Sequence, residues 1–338
     1  MHRLLQEIVR NEIAHDRQWA LHCLALFNES YDFEYGNIDS HHRFLELVPH
    51  VEAFLHIAET ILTEGEHKEI MAYLYNIGGV GFAHLGYYNR ALEWFQKALE
   101  ISEKKFGLEH PRTTKTYNNI ASVYDSQGDY TKALKWYQEA LKIWEKVLGL
   151  EHPDTAMSYN KIAQVYYNQG DYTKALEWHQ IALKIRKKVL GLGHPDTATT
   201  YNNIALVYHN QGDYTKALKG YQKALAIREK VLGLDHPDTA MSYNNIAEVY
   251  NNQGDYTKAL EWHQEALDIH EKVLGLEHPN TAMTYNNIGT AYARLEDYPT
   301  VLEWLQKALD IREKVLGADH PHTIDTKRNI VLVKASSN

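Results

Sequence analysis

Residues 236–275 have the sequence HPDTAMSYNNIAEVYNNQGDYTKALEWHQEALDIHEKVLG, and most of this segment recurs 42 positions upstream. The dipeptide His-Pro occurs six times at the same interval, first at residue 110 and last at residue 320. Between residues 155–196 and 239–280, nine of the 42 aligned positions differ, which indicates recent internal duplication. A fixed period of this length predicts a repeat protein whose units stack, because one unit alone cannot bury both of its hydrophobic faces.

Each repeat is predicted to form two helices joined by a short turn. Proline suits the first turn of a helix, where its missing N–H costs nothing, so Pro237 marks the start of the first helix. Gly254 favours the left-handed conformation that ends a helix, and Asp255 is a good cap for the next one. Apolar or small residues follow helical spacing on both sides of this turn. They are Tyr243, Ile246, Ala247 and Tyr250 in the first helix, and the second helix carries Tyr256, Ala259, Leu260, His263, Ala266, Leu267, Ile269 and Val273, again at helical spacing.

Six repeats of this kind fill most of the chain. Repeat one, about residues 68–109, is divergent but in register, and repeat six ends just before His320-Pro321. The sequence after this dipeptide contains one more first helix, which a stack of hairpins needs to cover its last hydrophobic face. Two positions depart from the pattern. Glu296 replaces the turn glycine, which predicts a less regular turn, and Gly220 replaces a tryptophan, which indicates either a soft point or a neutral loss.

These motifs resemble the tetratricopeptide repeat: Tyr-x-x-Ile-Ala-x-x-Tyr in the first helix, Gly-Asp-Tyr at the turn and Ala-Leu in the second helix. The usual period of about 34 residues is lengthened here to 42, and the form REKVLG…HPDTA…YNNIA is similar to the repeats of kinesin light chains and nephrocystin-like proteins. The resemblance covers residues 68–338. It implies an all-α fold, an α-solenoid of helical hairpins wound as a right-handed superhelix, with six repeats over residues 68–322 and a capping helix over residues 323–338.

Composition and charge exclude several classes of function. The net charge of −9 argues against a nucleic-acid partner, since such proteins usually present a basic face. No apolar run approaches the ~18 residues of a membrane span, and the start MHRLLQEIVRNEIAHDRQWA is too polar for a signal peptide, so no membrane partner is expected. Cys23 is the single cysteine and is interpreted as a small buried apolar group. Because it cannot form an internal disulfide, the cytoplasm is the simpler compartment.

Residues 1–67 lack the repeat and are predicted to form three helices. Their sequences are HRLLQEIVRNEI, WALHCLALFNESY and HHRFLELVPHVEAFLHIAETIL, the last interrupted or bent at Pro49. HRLLQEIVR resembles the end of the winged-helix region of STAND-type ATPases of the NB-ARC class, and FLELVPHVEAFL resembles the segment that joins that region to tetratricopeptide repeats. The resemblance implies that the chain is the ligand-sensing arm of a larger switch protein in defence signalling, with the ATPase module of the same protein as a partner.

An alternative is a stand-alone adaptor of the kinesin-light-chain type. That role would need a heptad coiled coil upstream, which residues 1–67 do not supply. A phosphate-binding G-x-x-x-x-G-K-[ST] motif upstream of Met1 would favour the sensor, and a natural start at Met1 would count against it. This motif is absent from the chain itself, so no ATPase activity is assigned to it.

No catalytic, metal or cofactor site is expected. Although the chain has 20 histidines, the six of the His-Pro pairs lie one per repeat, too far apart to share an ion, and are interpreted as boundary residues near helix starts. His179, His209 and His263 are interpreted as scattered, and no GxSxG motif is present. The function is therefore expected to be binding rather than catalysis.

A pair of asparagines returns in nearly every first helix, on a face turned away from the packing residues that flank it. In tetratricopeptide arrays this face lines the concave groove, and the resemblance to kinesin light chains implies that matching asparagines hold the ligand there. An amide has both a donor and an acceptor, which suits it to bind a peptide backbone whatever its side chains. The alternative is a ladder of amides that bond adjacent repeats to each other. The candidate residues are Asn76, Asn118, Asn119, Asn160, Lys161, Asn202, Asn203, Asn244, Asn245, Asn286 and Asn287.

Two nearby positions of the first helix vary between repeats. The first variable row is Val80, Ser122, Gln164, Leu206, Glu248 and Thr290, and the second variable row, one turn on, is Ala83, Asp125, Tyr167, His209, Asn251 and Ala293. Varied side chains beside a constant amide ladder would let a groove hold an extended protein or peptide segment and still select its sequence. Neutral drift on an exposed surface is the alternative. The members of these rows that join the candidate site are Gln164, Tyr167, Leu206, His209, Glu248 and Asn251.

The two interpretations of the asparagines predict different results for one pair of substitutions. If the asparagines bind ligand, Asn202→Ala with Asn244→Ala should weaken binding without a large loss of stability. If both substitutions melt the array while a ligand still binds, the ladder is structural.

Overall fold

The computed structural model describes residues 38–61, 66–318 and 320–336, and every regular element in these ranges is a helix. The first two helices predicted from the N-terminal sequence, and Cys23, lie outside these ranges. The chain forms two compact units, Met1–Leu150 and Glu151–Asn338. None of the described helices combines the length and the hydropathy needed to cross a membrane. The predicted all-α stack of helical hairpins is confirmed.

The first unit contains a long helix followed by the hairpins of repeats one and two. Its helices are α1 Ile38–Ile61, α2 Glu66–His84, α3 Tyr88–Phe106, α4 Pro111–Ser126 and α5 Tyr130–Val147. Helix α1 continues through Pro49, so the third helix predicted in the N-terminal segment is present and is not interrupted there. The ring of Phe44 in α1 meets the ring of Phe82 in α2 edge-on, with 5.2 Å between centroids, and this contact packs the long helix against repeat one.

The second unit contains the hairpins of repeats three to six and one final helix. Its helices are α6 Pro153–Asn168, α7 Tyr172–Val189, α8 Pro195–Asn210, α9 Tyr214–Leu232, α10 Pro237–Gln253, α11 Tyr256–Ile269, α12 Pro279–Arg294, α13 Tyr298–Leu316 and α14 Pro321–Ser336. A π-helical turn, His270–Leu274, extends α11. Helix α14 places Ile330 in one cluster with Val301, Leu305 and Leu309 of α13, and so covers an apolar face of repeat six.

Each first helix of repeats two to six, and α14, begins at a His-Pro dipeptide because the histidine side chain caps the helix. In repeat five, Nδ1 of His236 accepts a hydrogen bond from the backbone N–H of Asp238 at 3.1 Å, while Pro237 occupies the first turn, where no N–H partner is needed. The expectation that these histidines lie at helix starts is confirmed, and the structure adds their capping role. They are His110, His152, His194, His236, His278 and His320.

The turn between the two helices of repeat five follows the prediction. Gly254 has a φ of 82°, in the left-handed region, and the carboxylate of Asp255 accepts a hydrogen bond from the backbone N–H of Lys258 at 3.3 Å. Inside the hairpin, Ala247 and Ala259 have no exposed surface, and their small side chains let α10 and α11 approach closely.

The turn of repeat six keeps its left-handed residue and its closing hydrogen bond although it lacks the glycine. Glu296 has a φ of 59°, so a non-glycine residue adopts the left-handed conformation. The backbone N–H of Asp297 bonds to the carbonyl of Tyr292 at 3.2 Å, just as Asp255 bonds to Tyr250 in repeat five. The turn is less regular at one residue, as expected: the N–H of Leu295, which ends the helix, bonds to the carbonyl of Tyr292 three residues back, whereas Gln127 at the same position of repeat two bonds to Val123 four residues back. The left-handed conformation of Glu296 adds backbone strain.

Gly220 lies where the two helices of repeat four approach each other closely. A Cβ atom at this residue would come within 2.8 Å of Ala205 Cβ and 3.3 Å of the carbonyl oxygen of Tyr201. Without the tryptophan ring of the other repeats, Tyr201 is half-buried, whereas Tyr243 of repeat five is only 8% exposed. Gly220 therefore has a packing role, since it permits the close contact of α8 with α9.

Candidate functional site

The constant asparagines and the two variable rows lie on the first helix of each repeat, beside the residues that pack the hairpin. In α10, Tyr243 and Ile246 are buried, while Asn245 and Glu248 are half-buried. Glu248 follows Asn244 by four residues, a spacing that places two side chains on the same face of a helix. The fold thus brings the asparagine position and the variable rows together on one helix face.

The first asparagine of the pair is buried in repeats three and five. Asn160 is 8% exposed and Asn244 is 4% exposed, so the expectation that the pair is turned toward a groove does not hold for these two residues. A buried amide costs about 1–3 kcal/mol when its hydrogen bonds are not made, so such groups require partners. Both amides find those partners within the chain, as the structural interpretation of the ladder requires.

In repeat five the amide of Asn244 belongs to a buried hydrogen-bond network. Nδ1 of His263 lies 2.7 Å from Asn244 Oδ1, and Asn244 Nδ2 donates to Oγ1 of Thr284 in the next repeat at 2.8 Å. His270 Nδ1 lies 3.0 Å from the same hydroxyl. Burial lowers the pKa of His263 and of His270 to about 4, so both rings are neutral at pH 7. Because an amide oxygen only accepts, His263 carries its proton on Nδ1 and leaves Nε2 as an acceptor.

Repeat three has the same arrangement with an arginine added. His179 Nδ1 lies 2.8 Å from Asn160 Oδ1, and Asn160 Nδ2 donates to Thr200 Oγ1 at 3.1 Å. Arg186 donates to the same hydroxyl and to the carbonyl oxygen of Asp196, both at 2.8 Å. The pKa of His179 is lowered to about 4, by burial first and by the charge of Arg186 second. The two networks tie repeat three to repeat four and repeat five to repeat six.

The interpretation of His179 and His263 as scattered residues is corrected by these networks. The two histidines occupy the same position of the second helix, two repeats apart, where repeats two and four have Tyr137 and Tyr221. An alignment of repeats two to five shows this alternation of tyrosine and histidine. The sequence does not show that the position faces the asparagine of the first helix, which only the packed hairpin reveals.

Other members of the asparagine pair bond between adjacent repeats. Asn119 Nδ2 donates to Asn76 Oδ1 at 2.6 Å, and Asn76 Nδ2 donates to Thr116 Oγ1 at 2.7 Å. Asn245 Nδ2 likewise donates to Asn202 Oδ1 at 2.8 Å. An amide ladder between repeats is therefore present, and the part that these residues play in ligand binding stays a prediction.

The remaining candidates of the ladder make fewer hydrogen bonds to other residues of the chain. Asn118 Oδ1 and Asn286 Oδ1 are shielded from solvent, yet no described residue donates a hydrogen bond to either. Asn203 and Asn287 are half-buried, and Lys161 is exposed. The part that these five side chains play in ligand binding stays a prediction.

Neighbouring repeats of the second unit are also linked along the second variable row. Tyr167 Oη accepts a hydrogen bond from Asn210 Nδ2 at 2.6 Å, and His209 Nε2 accepts one from Asn252 Nδ2 at 2.9 Å. Each donor lies in the repeat that follows its acceptor. Sequence reasoning missed these asparagines, although the repeat supplied the signal: Asn168, Asn210 and Asn252 occupy one position in three successive repeats.

The variable rows of repeats three to five offer mostly uncharged groups. Burial lowers the pKa of His209, which Glu248 opposes, and burial raises the pKa of Tyr167, so both rings are neutral at pH 7. Gln164 and Leu206 are half-buried and add an amide and an apolar surface. The arrangement supplies hydrogen-bond donors, acceptors and contact area, with Glu248 as its charged member. Within the described ranges, no three His, Cys, Asp or Glu side chains are placed to hold a metal ion.

Comparison with known families gives one assignment. The family model described as tetratricopeptide repeat matches residues 69–146, 112–188, 154–209, 196–251, 238–314 and 284–337, which together span most of the chain. No curated protein matches the sequence.

Several solved structures are similar to this chain. A putative kinesin light chain from Podosopora anserina, with nearly identical TPR-like repeats, is 25% identical over 61% of this chain and 98% of its own, with a TM-score of 0.51. BtubC (BKLC) from P. vanneervenii is 23% identical over 70% of this chain and 92% of its own, with a TM-score of 0.55. A Rap protein complexed with competence and sporulation factor is 15% identical over 99% of this chain and 96% of its own, with a TM-score of 0.56. The last two likenesses are of fold alone. The predicted array of kinesin-light-chain-like type is supported.

Proposed function

The chain belongs to the tetratricopeptide repeat family, and from this membership we propose that it binds an extended peptide or protein segment along the first helices of repeats three to five. Arrays of this family are typically non-enzymatic scaffolds for protein interaction, and stacked repeats present long continuous surfaces to a partner. The proposed contacts are the second variable row, the half-buried members of the first variable row, and the asparagines that keep a free amide group.

One observation carries the proposal. Tyr167 and His209 differ from each other, yet each is held by a hydrogen bond from an asparagine at the same position of the next repeat, Asn210 and Asn252. Side chains that drift on an unconstrained surface have no need of such support. Fixing a contact residue before the ligand arrives lowers the entropy lost on binding, so this arrangement favours a binding surface over neutral drift.

A peptide library tests the proposal. The 338-residue chain is incubated with an array of synthetic 15-residue peptides, and the affinity of each bound peptide is then measured by fluorescence anisotropy. We expect Tyr167→Ala with His209→Ala to weaken binding about tenfold or more, equal to about 1.4 kcal/mol. Tyr87→Ala is the control, because Tyr87 is 50% exposed and lies outside both variable rows. The proposal fails if no peptide binds, or if the double variant and the control bind equally well.

The finer proposal is that this binding serves as the sensing step of a STAND-type ATPase of the NB-ARC class, with the array as its autoinhibitory arm. Its support is the sequence of residues 1–67. HRLLQEIVR lies outside the described residues, and FLELVPHVEAFL forms part of α1. Sequencing the gene upstream of Met1 tests this role: an in-frame phosphate-binding motif supports it, and a stop codon directly upstream contradicts it.

A further inference from the structure

Glu248 in repeat five is a half-buried carboxylate without a cation. Its Oε1 and Oε2 accept hydrogen bonds from Asn252 Nδ2 and Asn251 Nδ2, each at 3.3 Å. No lysine or arginine of the described residues pairs with it, although Asp255 of the same repeat pairs with Lys258 at 2.6 Å. A carboxylate has about four lone-pair sites, so two long contacts with neutral amides leave lone pairs of Glu248 open to a further donor.

Asn251 adds a second acceptor without a donor. Its Nδ2 lies 3.4 Å from Nε2 of His263, which is an acceptor because Nδ1 of that ring carries the proton bonded to Asn244. The reverse orientation of the amide would set Asn251 Oδ1 against two acceptors, the imidazole nitrogen and the carboxylate of Glu248. In the observed orientation, Asn251 Oδ1 is shielded from solvent and accepts no hydrogen bond from the described residues.

The ionisable groups that face Glu248 do not neutralise it. The pKa of His209 is lowered by burial, and the negative charge of Glu248 only opposes that shift, so the imidazole is neutral at pH 7. Burial first, and then Tyr167 and Glu248, raise the pKa of Tyr221, which therefore stays an uncharged phenol. Glu248 therefore gives this part of the helix face a net negative charge.

We propose that Glu248 and Asn251 form a subsite for the basic side chain of one arginine or lysine in the bound segment. This inference rests on the proposed function and names the chemistry that the surface selects. A guanidinium is planar and carries five N–H donors, so it can bond both oxygens of the Glu248 carboxylate at once. Asn251 supports that carboxylate through its Nδ2, which donates to Glu248 Oε2. The other five repeats have uncharged residues at the position of Glu248. A single basic residue, placed opposite repeat five, thus fixes the register of the segment.

The test uses the 338-residue chain and four libraries of synthetic 15-residue peptides. The central position is fixed as Arg, Lys, Glu or Ala, and the other positions are randomised without charged residues. We expect the chain to bind the Arg library about five to ten times more tightly than the Ala library, the Lys library less strongly, and the Glu library most weakly. Glu248→Gln keeps the size of the side chain and an acceptor for Asn251 and Asn252, and it should bind the Arg and Ala libraries equally.

Two controls separate the charge of Glu248 from other causes. Glu261→Gln removes the same charge from an exposed residue of α11 in the same repeat, and it should keep the preference for Arg. Raising the salt from about 0.05 M to about 0.5 M should weaken binding of the Arg library much more than that of the Ala library, because screening acts on the ion pair. The salt titration needs no variant, so it gives a result even if Glu248→Gln does not fold.

The possible failures point to different conclusions. Equal binding of the Arg and Ala libraries by the unaltered chain, or a preference for Arg that survives in Glu248→Gln, overturns the inference. The proposed function still stands in that case if Tyr167→Ala with His209→Ala abolishes binding of the Ala library. If none of the four libraries binds, the proposed function is overturned and the inference falls with it.

Discussion

Asn244 in the first helix of repeat five and His263 in the second share a hydrogen bond of 2.7 Å that is closed off from solvent. The bond joins the two helices of the hairpin, and the same amide continues to Thr284 of repeat six at 2.8 Å. One side chain therefore stabilises both the hairpin and the contact between repeats. A residue that the sequence marks as a ligand contact has a structural function here.

Asn244→Ala is expected to lower the free energy of unfolding by about 2–4 kcal/mol. The substitution leaves the N–H of His263 buried without a partner, which costs about 1–3 kcal/mol, and it removes one hydrogen bond to the Thr284 hydroxyl, worth about 1 kcal/mol. That hydroxyl keeps its contacts with His270 and with the carbonyl of Asn280. Urea unfolding at pH 7, followed by circular dichroism, measures the change. Asn203→Ala is the matched control, because Asn203 is half-buried without a hydrogen-bond partner in the described ranges; it should stay within about 0.5 kcal/mol of the unaltered chain.

The double substitution Asn202→Ala with Asn244→Ala should therefore destabilise the array. The binding interpretation of the asparagines predicts instead that the double variant loses little stability. Asn202 adds to the loss, because its Oδ1 accepts a hydrogen bond from Asn245 at 2.8 Å. An unfolding midpoint equal to that of the unaltered chain would mean that the buried network contributes nothing to stability.

Three buried histidines predict a loss of stability in acid. The pKa values of His179, His263 and His270 are about 4 in the folded chain, against about 6.5 for an unfolded histidine, so protonation favours the unfolded state. The stability that neutral rings contribute is complete above pH ~6.5 and is lost as the pH falls toward 4. The loss is about 2–3 kcal/mol for each histidine. Urea midpoints measured between pH 7 and pH 4 follow it.

His179→Gln with His263→Gln separates these histidines from the carboxylates, which also titrate near the lower end of this range. A glutamine amide donates to the asparagine oxygen as the imidazole does, but it does not gain a charge. The variant should lose less stability than the unaltered chain between pH 6.5 and pH 4.5. An equal loss in both proteins would assign the acid sensitivity to other groups.

The fold follows from the sequence because each hairpin carries local signals. Pro237 at the helix start, Gly254 at the turn and Asp255 at the cap act within a few residues of their own position, and the structure confirms each of them. No residue near Asn244 in the sequence indicates which way its side chain points. It depends on His263 in the other helix and on Thr284 in the next repeat, so helical periodicity identifies the face but not the partner. The candidate site was therefore predicted as a region and not residue by residue.

Gly220→Ala is expected to destabilise the array by about 1 kcal/mol, the reverse of what alanine usually does in a helix. Alanine gains about 0.5–1 kcal/mol from helix propensity, but its Cβ would lie 2.8 Å from Ala205 Cβ, a contact that only a shift of α8 from α9 relieves. Such overpacking costs about 1–3 kcal/mol. Thermal unfolding measures the result, with the exposed Gln222→Ala in the same helix as control. A higher melting temperature for Gly220→Ala would show that α8 and α9 move apart with little loss of stability.

The turn of repeat six offers a substitution that should raise stability. Glu296 has a φ of 59°, in the left-handed region, where a residue with a side chain is strained and glycine is not; Gly254 occupies the same turn position in repeat five with a φ of 82°. Glu296→Gly should therefore raise the free energy of unfolding by about 0.5–1 kcal/mol, the relief of strain being offset in part by the greater freedom of glycine in the unfolded chain. The reciprocal Gly254→Glu puts the same side chain into the same conformation and should lower stability by a similar amount. Thermal unfolding of both variants at pH 7 must give shifts of opposite sign; a lower melting temperature for Glu296→Gly would mean that contacts of the glutamate side chain outweigh the strain of its backbone.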